Sequence, residues 1–415
     1  MVAFAFGPGV HLLIVYAIFL ASYLVFAIGR FPGTKIDRPA AAVIGAALMF
    51  AFRVISPAAG IRSIDYTTIV LLASMMLIVS SLHFAGFFEW IAGLVVKFVP
   101  PSHLLPGVIF TSGILSAFLV NDVVCLVMTP LLLKICQQFS KRPMPYLLAL
   151  ATASNIGSTA TITGNPQNIL IGSISGISYR HFLVALAPVA IIGLFIDWMV
   201  LHWLYPNRNG GAVVKPAWDA SQIDAINRRQ LTFPLVILAL VLAGFLAGLS
   251  PAMVAALGGA VLLIRRSVHP EEIYKEIDWP LLAFFIGLFL IIGAVEQAGI
   301  AQHLLALAER MDLHNPWIFG GVVALLSNVV SNVPAVMLLK GLVPQFHNPT
   351  QFWLVLAMAS TLAGNLTVTG SIANIIVIEK ARPEIEISFR DYLRVGIPVT
   401  LATLSVGIAW LGFAA

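Results

Sequence analysis

The chain has 415 residues, 60% of them hydrophobic and only 10% charged, and its mean hydropathy is +0.97. A soluble chain carries about 25% charged residues, so this composition excludes a soluble globular protein and indicates a polytopic membrane protein. The formal charge of +5 calls for no nucleic acid or other acidic partner, because membrane proteins gather Lys and Arg on one side. The two cysteines, Cys125 and Cys136, sit in apolar surroundings, which argues against a disulfide framework and a closed zinc site.

A helix needs about 20 apolar residues to cross a bilayer. Expected spans are 10–29, 39–56, 67–83, 145–175, 182–204, 230–248, 251–264, 281–298, 352–379 and 391–413. The first lacks the basic start and small-residue cleavage site of a signal peptide, so it reads as a retained span. Interfacial amphipathic helices are expected after the third span (FFEWIAGLVVKFV) and after the eighth (AQHLLALAER). Two segments, about 105–137 and 316–345, each place two apolar arms, too short to span, around an Asn-rich middle. Both are read as re-entrant hairpins, with one ordinary span through each as the alternative. TITGNPQN and TVTGSIAN interrupt the runs 145–175 and 352–379, which are read as broken helices.

The chain repeats internally. Ile64-Asp65-Tyr66 recurs as Ile277-Asp278-Trp279, and Thr161-Ile162-Thr163-Gly164 with Asn168 recurs as Thr367-Val368-Thr369-Gly370 with Asn374. Ile177-Ser178-Tyr179-Arg180 recurs as Ile387-Ser388-Phe389-Arg390, so offsets of 206 to 213 residues serve throughout. Two halves follow, about 1–204 and 230–415, joined by a polar linker at 205–229. Each holds five spans and one hairpin that returns to its own side. Five is odd, so the second half is inverted relative to the first, the plan of secondary transporters with a midplane site. Of the 23 Lys and Arg residues, 18 fall in loops on one side and five (Arg53, Arg62, Arg180, Arg310, Lys340) on the other. By the positive-inside rule the first side is cytoplasmic, and both termini lie outside a bacterial-type inner membrane. The first hairpin then opens from the cytoplasm and the second from outside.

Polar groups within apolar runs mark the candidate site. Asp122, in SAFLVNDVVCLVMTPLLLKI, is an acid at membrane depth, which costs roughly 2.5 to 3.5 kcal/mol on insertion scales and so reads as functional. Burial in low dielectric disfavours its charged form and suits it to take up and release a proton. The plainer reading is a hydrogen-bonded acid that clamps its hairpin. Asp197 and Glu296 are read as interfacial, and Lys134 and Lys340 as snorkelling anchors at the hairpin ends.

At the breaks, Pro166 lacks a donor and stops the helix after Gly164 and Asn165, while Gly370 and Ser371 break the mate more gently. The freed backbone groups and half-helix ends form a ready site for a polar solute or ion. Thr161, Thr163, Asn165 and Asn168 supply uncharged donors and acceptors there, as do Thr367, Thr369, Ser371 and Asn374. Ser154, Asn155 and Asn365 lie upstream on the same helices. The hairpin tips Asn121-Asp122 and Ser331-Asn332 would close the site from either face. The plainer reading is that Ser, Thr and Gly only pack the helices closely.

Gly172-Ser173-Ile174-Ser175-Gly176 fits the hydrolase pattern G-x-S-x-G, with His181 the nearest candidate base. That pattern needs a strand-to-helix turn, and here it ends a membrane span, so an intramembrane serine hydrolase is the remote alternative. No Walker A, H-E-x-x-H or dinucleotide pattern is present, so neither an enzyme nor any cofactor is indicated. The sequence leaves room for an external ATPase partner.

The tips NDVV and SNVPA and the breaks GNPQN and TVTGSIAN together resemble the ion transporter superfamily over essentially the whole chain. Its members include the arsenite permease ArsB, the sodium/proton antiporter NhaD, the melanosomal P protein and the divalent anion/sodium symporters. The resemblance implies an all-helical fold with a scaffold and a transport domain per protomer, usually as a homodimer with elevator-like alternation. In the dicarboxylate members each tip reads Ser-Asn-Thr and binds carboxylate and sodium. Asn121-Asp122-Val123 departs from this toward the ArsB-like branch, since an acid repels a dianion and suits a proton. The expectation is an arsenite or antimonite exporter in exchange for protons, with Asp122 as proton carrier. The alternatives are a sodium- or proton-coupled permease for an inorganic or organic anion, a sodium/proton antiporter, or a passive channel.

Overall fold

The computed structural model describes residues 8–206, 228–264, 270–299, 309 and 311–414. These are almost entirely helical, with no strand among the described residues beyond one isolated bridge, Arg30–Asp37. The first half contains α1 (Pro8–Ile28), α2 (Arg38–Ala51), α3 (Pro57–Ser63), α4 (Tyr66–Phe84) and α5 (Phe87–Phe98). It continues with the hairpin α6 (Leu104–Phe118) and α7 (Asn121–Gln138), the broken pair α8 (Pro143–Ser158) and α9 (Pro166–Ile174), and α10 (Tyr179–Leu204). The second half contains α11 (Arg228–Leu246), α12 (Pro251–Ile264), α13 (Pro270–Glu276) and α14 (Trp279–Gln297). Then come the hairpin α15 (Pro316–Val330) and α16 (Asn332–Leu339), the broken pair α17 (Pro349–Leu362) and α18 (Ile372–Ala381), and α19 (Phe389–Ala414).

Local chemistry sets the helix starts. Asp37, Ser56, Asp65, Asn165, Ser178, Asp278, Asn315 and Asn348 each accept a first-turn backbone N–H, often with Pro at the next position. Among the described residues, six segments can cross a membrane by length and composition: His11–Ile28, Tyr66–Phe84, Pro101–Phe118, Tyr179–Leu204, Trp279–Gln297 and Phe389–Phe413. The other expected spans are the shorter apolar helices α2, α11 and α12 or the two broken pairs.

Two expectations are corrected. The span expected over 39–56 ends at Ala51, because Arg53 turns to φ 56° and Ser56-Pro57 starts α3. The first hairpin arm, expected to be too short to span, reaches 18 residues with its leading 3-10 turn. It still turns back, because the Asn121 N–H donates to the Gly164 carbonyl at 3.0 Å and ties the tip to the first break. The interfacial helix expected after the third span is α5, which buries Phe87, Phe88, Ala92 and Val95. Most of its expected counterpart, AQHLLALAER, and the linker stretch 207–227 lie outside the described residues, as do Arg208, Lys215, Arg265, Arg266 and Arg310.

The halves interlock as inverted repeats. α2 packs on α14 of the other half, and its mate α12 packs on α4. α7 packs on α18 as α16 packs on α9, and α10 crosses α19, its own counterpart. One group of helices, α1–α4 with α11–α14, thus flanks a second made of the hairpins, the broken pairs, α10 and α19. Small residues allow the closest approaches: a Cβ on Gly157 of α8 would lie 2.0 Å from the Gly113 carbonyl oxygen of α6.

Candidate functional site: the paired breaks and the cavity between the hairpin tips

Each break is held open by one asparagine. Asn168 Nδ2 donates to the carbonyls of Ser158 (3.1 Å) and Thr161 (3.0 Å), groups that a continuous helix would have satisfied. Asn374 Nδ2 repeats this with Gly364 (2.7 Å) and Thr367 (3.1 Å), 206 residues later at every position. Gly164 cannot be replaced, because a Cβ there would sit 2.2 Å from the Ser158 carbonyl oxygen.

A second layer of bonds crosses between the halves. Asn155 Nδ2 donates to Asn365 Oδ1 (2.8 Å) and Asn374 Oδ1 (2.9 Å). Its Oδ1 accepts from Asn121 Nδ2 (3.0 Å) and Ser371 Oγ (2.9 Å). The reciprocal position, again 206 residues on, is Thr361. It donates to Asn168 Oδ1 (3.3 Å) and accepts from Asn165 Nδ2 and Gln167 Nε2, both at 3.2 Å. In the amide orientation that satisfies both its ends, Asn332 donates to the carbonyls of Ser360 (3.0 Å) and Gly370 (3.3 Å) and accepts from Gln167 Nε2 (3.3 Å).

The two hairpin tips meet the starts of α9 and α18 around a cavity of about 190 Å³. Asn121, Asp122, Ser331, Asn332 and Ser371 line it with Gln167, while Arg38, Asp278 and Phe284 form the facing wall. The Asp122 carboxylate lies against the Ala373 backbone N–H in the first turn of α18. Ser331 is held at φ 78°, ψ 158°, a region nearly confined to glycine, so the second tip carries backbone strain at the cavity edge.

The remaining candidates stand elsewhere. Asn155, Asn165, Asn168, Asn365 and Asn374 are buried behind the cavity, where they join backbone to backbone and half to half. Thr161 donates to the Ala117 carbonyl of the first hairpin, and Thr163 bonds Tyr179 Oη at 3.0 Å. Thr367 is half-buried and donates to Asn328 Oδ1 (3.0 Å), whereas Thr369 is exposed on a different groove with Val368 and Glu379. Gly164 and Gly370 contribute backbone only. Ser154 Oγ lies 3.0 Å from Cys125 Sγ, and both cysteines are free and buried.

The acids outside the tips divide. Glu296 is half exposed and pairs with Lys340 at 3.2 Å, so the second hairpin's anchor is an ion pair as well. Asp197, expected at the interface, is instead fully buried in α10, where Thr152 Oγ1 donates to its Oδ2 at 3.0 Å. The hydrolase pattern ends α9: Ser175 Oγ accepts from the Ile177 N–H (3.2 Å), and no strand precedes it.

Sequence reading missed Arg38, Asp278, Gln167, Thr361 and Asn328. Arg38 reads as a loop charge, and only the packing of α2 on α14 brings it to the cavity. Thr361 carries a signal in retrospect, since it stands one repeat offset from Asn155.

The citrate transporter family model matches residues 23–359. An uncharacterized transporter of Mycobacterium tuberculosis is 30% identical over 96% of this chain and 98% of its own length. The silicon efflux transporter LSI3 of Oryza sativa subsp. japonica is 28% identical, covering 92% of this chain and 93% of its own. The crystal structure of the YdaH transporter of Alcanivorax borkumensis, described as having an unusual topology, aligns with a TM-score of 0.59 at 14% identity, over 98% of this chain and 97% of that one. The family match spans most of the chain, and the relatives cover nearly all of it: the protein is an integral membrane transporter and belongs to the citrate transporter family.

Proposed function

We propose that the protein exports a small uncharged hydroxylated solute, arsenite or antimonite, in exchange for protons, by alternating access around the cavity between the hairpin tips. The observation that carries this reading is Asp122: it faces a cavity whose other polar side chains from the tips and half-helices are amides and hydroxyls. Arsenite is neutral near pH 7, and amides and hydroxyls are its natural partners. Silicic acid, the hydroxylated form of silicon, has the same chemistry, so the likeness to a silicon efflux transporter supports this substrate class. Asp122 takes the proton, and its protonation state decides whether the site releases solute or returns empty. The basic residues gathered on one face support a cytoplasmic opening of the cavity, with both termini outside, in an inner membrane. A homodimer is part of the proposal.

A second reading, an anion permease coupled to sodium or protons, is favoured by Arg38 in the cavity wall and by the family's citrate description. Two carboxylates, Asp122 and Asp278, outnumber that one guanidinium, which disfavours a multiply charged anion. Uptake into everted vesicles separates the two readings. Arsenite accumulation driven by a proton gradient and competed by antimonite supports export, and sodium-dependent citrate uptake without arsenite movement supports the permease.

A further inference from the structure

The halves now meet asymmetrically, and the asymmetry is chemical as well as geometric. α9 packs against α4, and Ser173 Oγ donates to Asp65 Oδ2 at 2.5 Å. Asp65 is also the cap of α4, accepting the Thr67 and Thr68 N–H groups. The repeat mates of these helices, α18 and α14, stand apart, with the cavity between their N-terminal ends. Asp278 is the mate of Asp65, and it caps α14 in the same way by accepting the Leu281 N–H at 2.9 Å. At the 206-residue offset fixed by Asn168 and Asn374, the mate of Ser173 is Glu379. Both Asp278 and Glu379 are exposed.

We infer that closing the cavity brings Glu379 against Asp278, as Ser173 now stands against Asp65, and that the closed pair binds one proton. The inference rests on the alternating access proposed above but not on the identity of the solute. In an inverted repeat, exchanging the conformations of the two halves generates the opposite state. A hydroxyl can donate to a carboxylate in either state of protonation of its surroundings. An ionised carboxylate cannot donate, so one acid of the Asp278–Glu379 pair must carry a proton to make the bond, and two ionised carboxylates at that distance repel.

The charged neighbours do not remove this requirement. Arg38 on α2 and Asp122 on α7 face the cavity with Asp278, one cation and one further acid. His83 on α4 is already bonded to Glu276 at 2.9 Å, two residues before Asp278. Glu379 shares its groove with Arg382 and Glu386, again one charge of each sign, and α7, packed on α18, carries Lys134 toward its far end, with Lys141 just beyond it. The closed state therefore takes up a proton between Asp278, at the cavity wall, and Glu379, which lies outside the cavity in the present state. This proton-binding pair is distinct from Asp122.

The test uses the full-length protein in membrane vesicles, in a Cys125→Ser/Cys136→Ser background. Asp278→Cys with Glu379→Cys should cross-link with a short thiol reagent, and prior cross-linking of Asp65→Cys with Ser173→Cys should block it. Absence of the Asp278–Glu379 cross-link under every pH and gradient overturns the geometry. Separately, labelling of Leu281→Cys in the cavity should fall with acid, by up to about tenfold per pH unit for a one-proton equilibrium. Glu379→Ser, which installs the residue of the other half, and Glu379→Gln should each flatten that dependence. An unchanged slope in both overturns the proton pair even if the cross-link forms. If neither cysteine pair responds and labelling never changes, alternating access itself is at fault, a failure distinguishable from the other two.

Discussion

Asn155 on α8 donates to Asn374 Oδ1 on α18 at 2.9 Å, and this bond joins the upstream helix of one break to the downstream helix of the other. The reciprocal bond, Thr361 to Asn168 at 3.3 Å, runs the opposite way across the pseudo-two-fold. Both breaks are therefore fixed by side chains from the other half, and the tips join the same network through Asn121 and Asn332. These bonds tie the two breaks and the two tips to one another, while the cavity separates the tips from α2 and α14.

Asn155→Ala should be the most damaging of the buried asparagine changes. It leaves Asn121 Nδ2, Ser371 Oγ and the Oδ1 atoms of Asn365 and Asn374 short of a partner. A buried unsatisfied group costs about 1–3 kcal/mol, so thermal unfolding of the purified protein should move well below that of the parent. A melting temperature unchanged from the parent would contradict the network.

Gly157→Ala should separate α6 from α8. Its Cβ would meet backbone, the Gly113 carbonyl oxygen at 2.0 Å, which cannot swing aside. Overpacking of this kind costs about 1–3 kcal/mol or more. Gly321→Ala, on α15 with no atom within 4 Å of the added carbon, is the control and should gain about 0.5–1 kcal/mol of helix stability. Paired melting curves check both.

Ser331→Gly should stabilise the protein and impair transport. Glycine relieves the φ 78°, ψ 158° strain, worth about 1–3 kcal/mol, and removes a hydroxyl from the cavity. A variant with a higher melting temperature and normal uptake would show that the Ser331 side chain has no part in the site.

A reporter enzyme active only outside the cytoplasm, fused after Ala415, should be active if both termini lie outside. Activity from a cytoplasmic reporter at the same junction would reverse the orientation proposed for the cavity.

The hairpins and breaks were legible in the sequence because polar residues stand out within apolar runs. NDVV, SNVPA, GNPQN and TVTGSIAN each proved to be a tip or a break. Depth within the site was not legible. Asn168 and Asn374 read as solute ligands, yet each spends its amide on two backbone carbonyls, a role visible only when the chain is folded back. Arg38 and Asp278 read as a loop charge and a repeat marker, because their approach to the cavity depends on α2 crossing α14. Asp197 read as interfacial from its distance to the helix end, whereas α8 covers it from the side through Thr152.

The most direct measurement is arsenite uptake into everted vesicles under an imposed proton gradient, comparing the parent with Asp122→Asn. The amide keeps the shape and polarity of the tip and removes the titratable proton. Proton-driven, antimonite-competed accumulation is expected in the parent and its loss in Asp122→Asn, with both proteins present in the membrane at equal levels. Equal pH-driven accumulation by the two proteins would contradict Asp122 as the proton carrier.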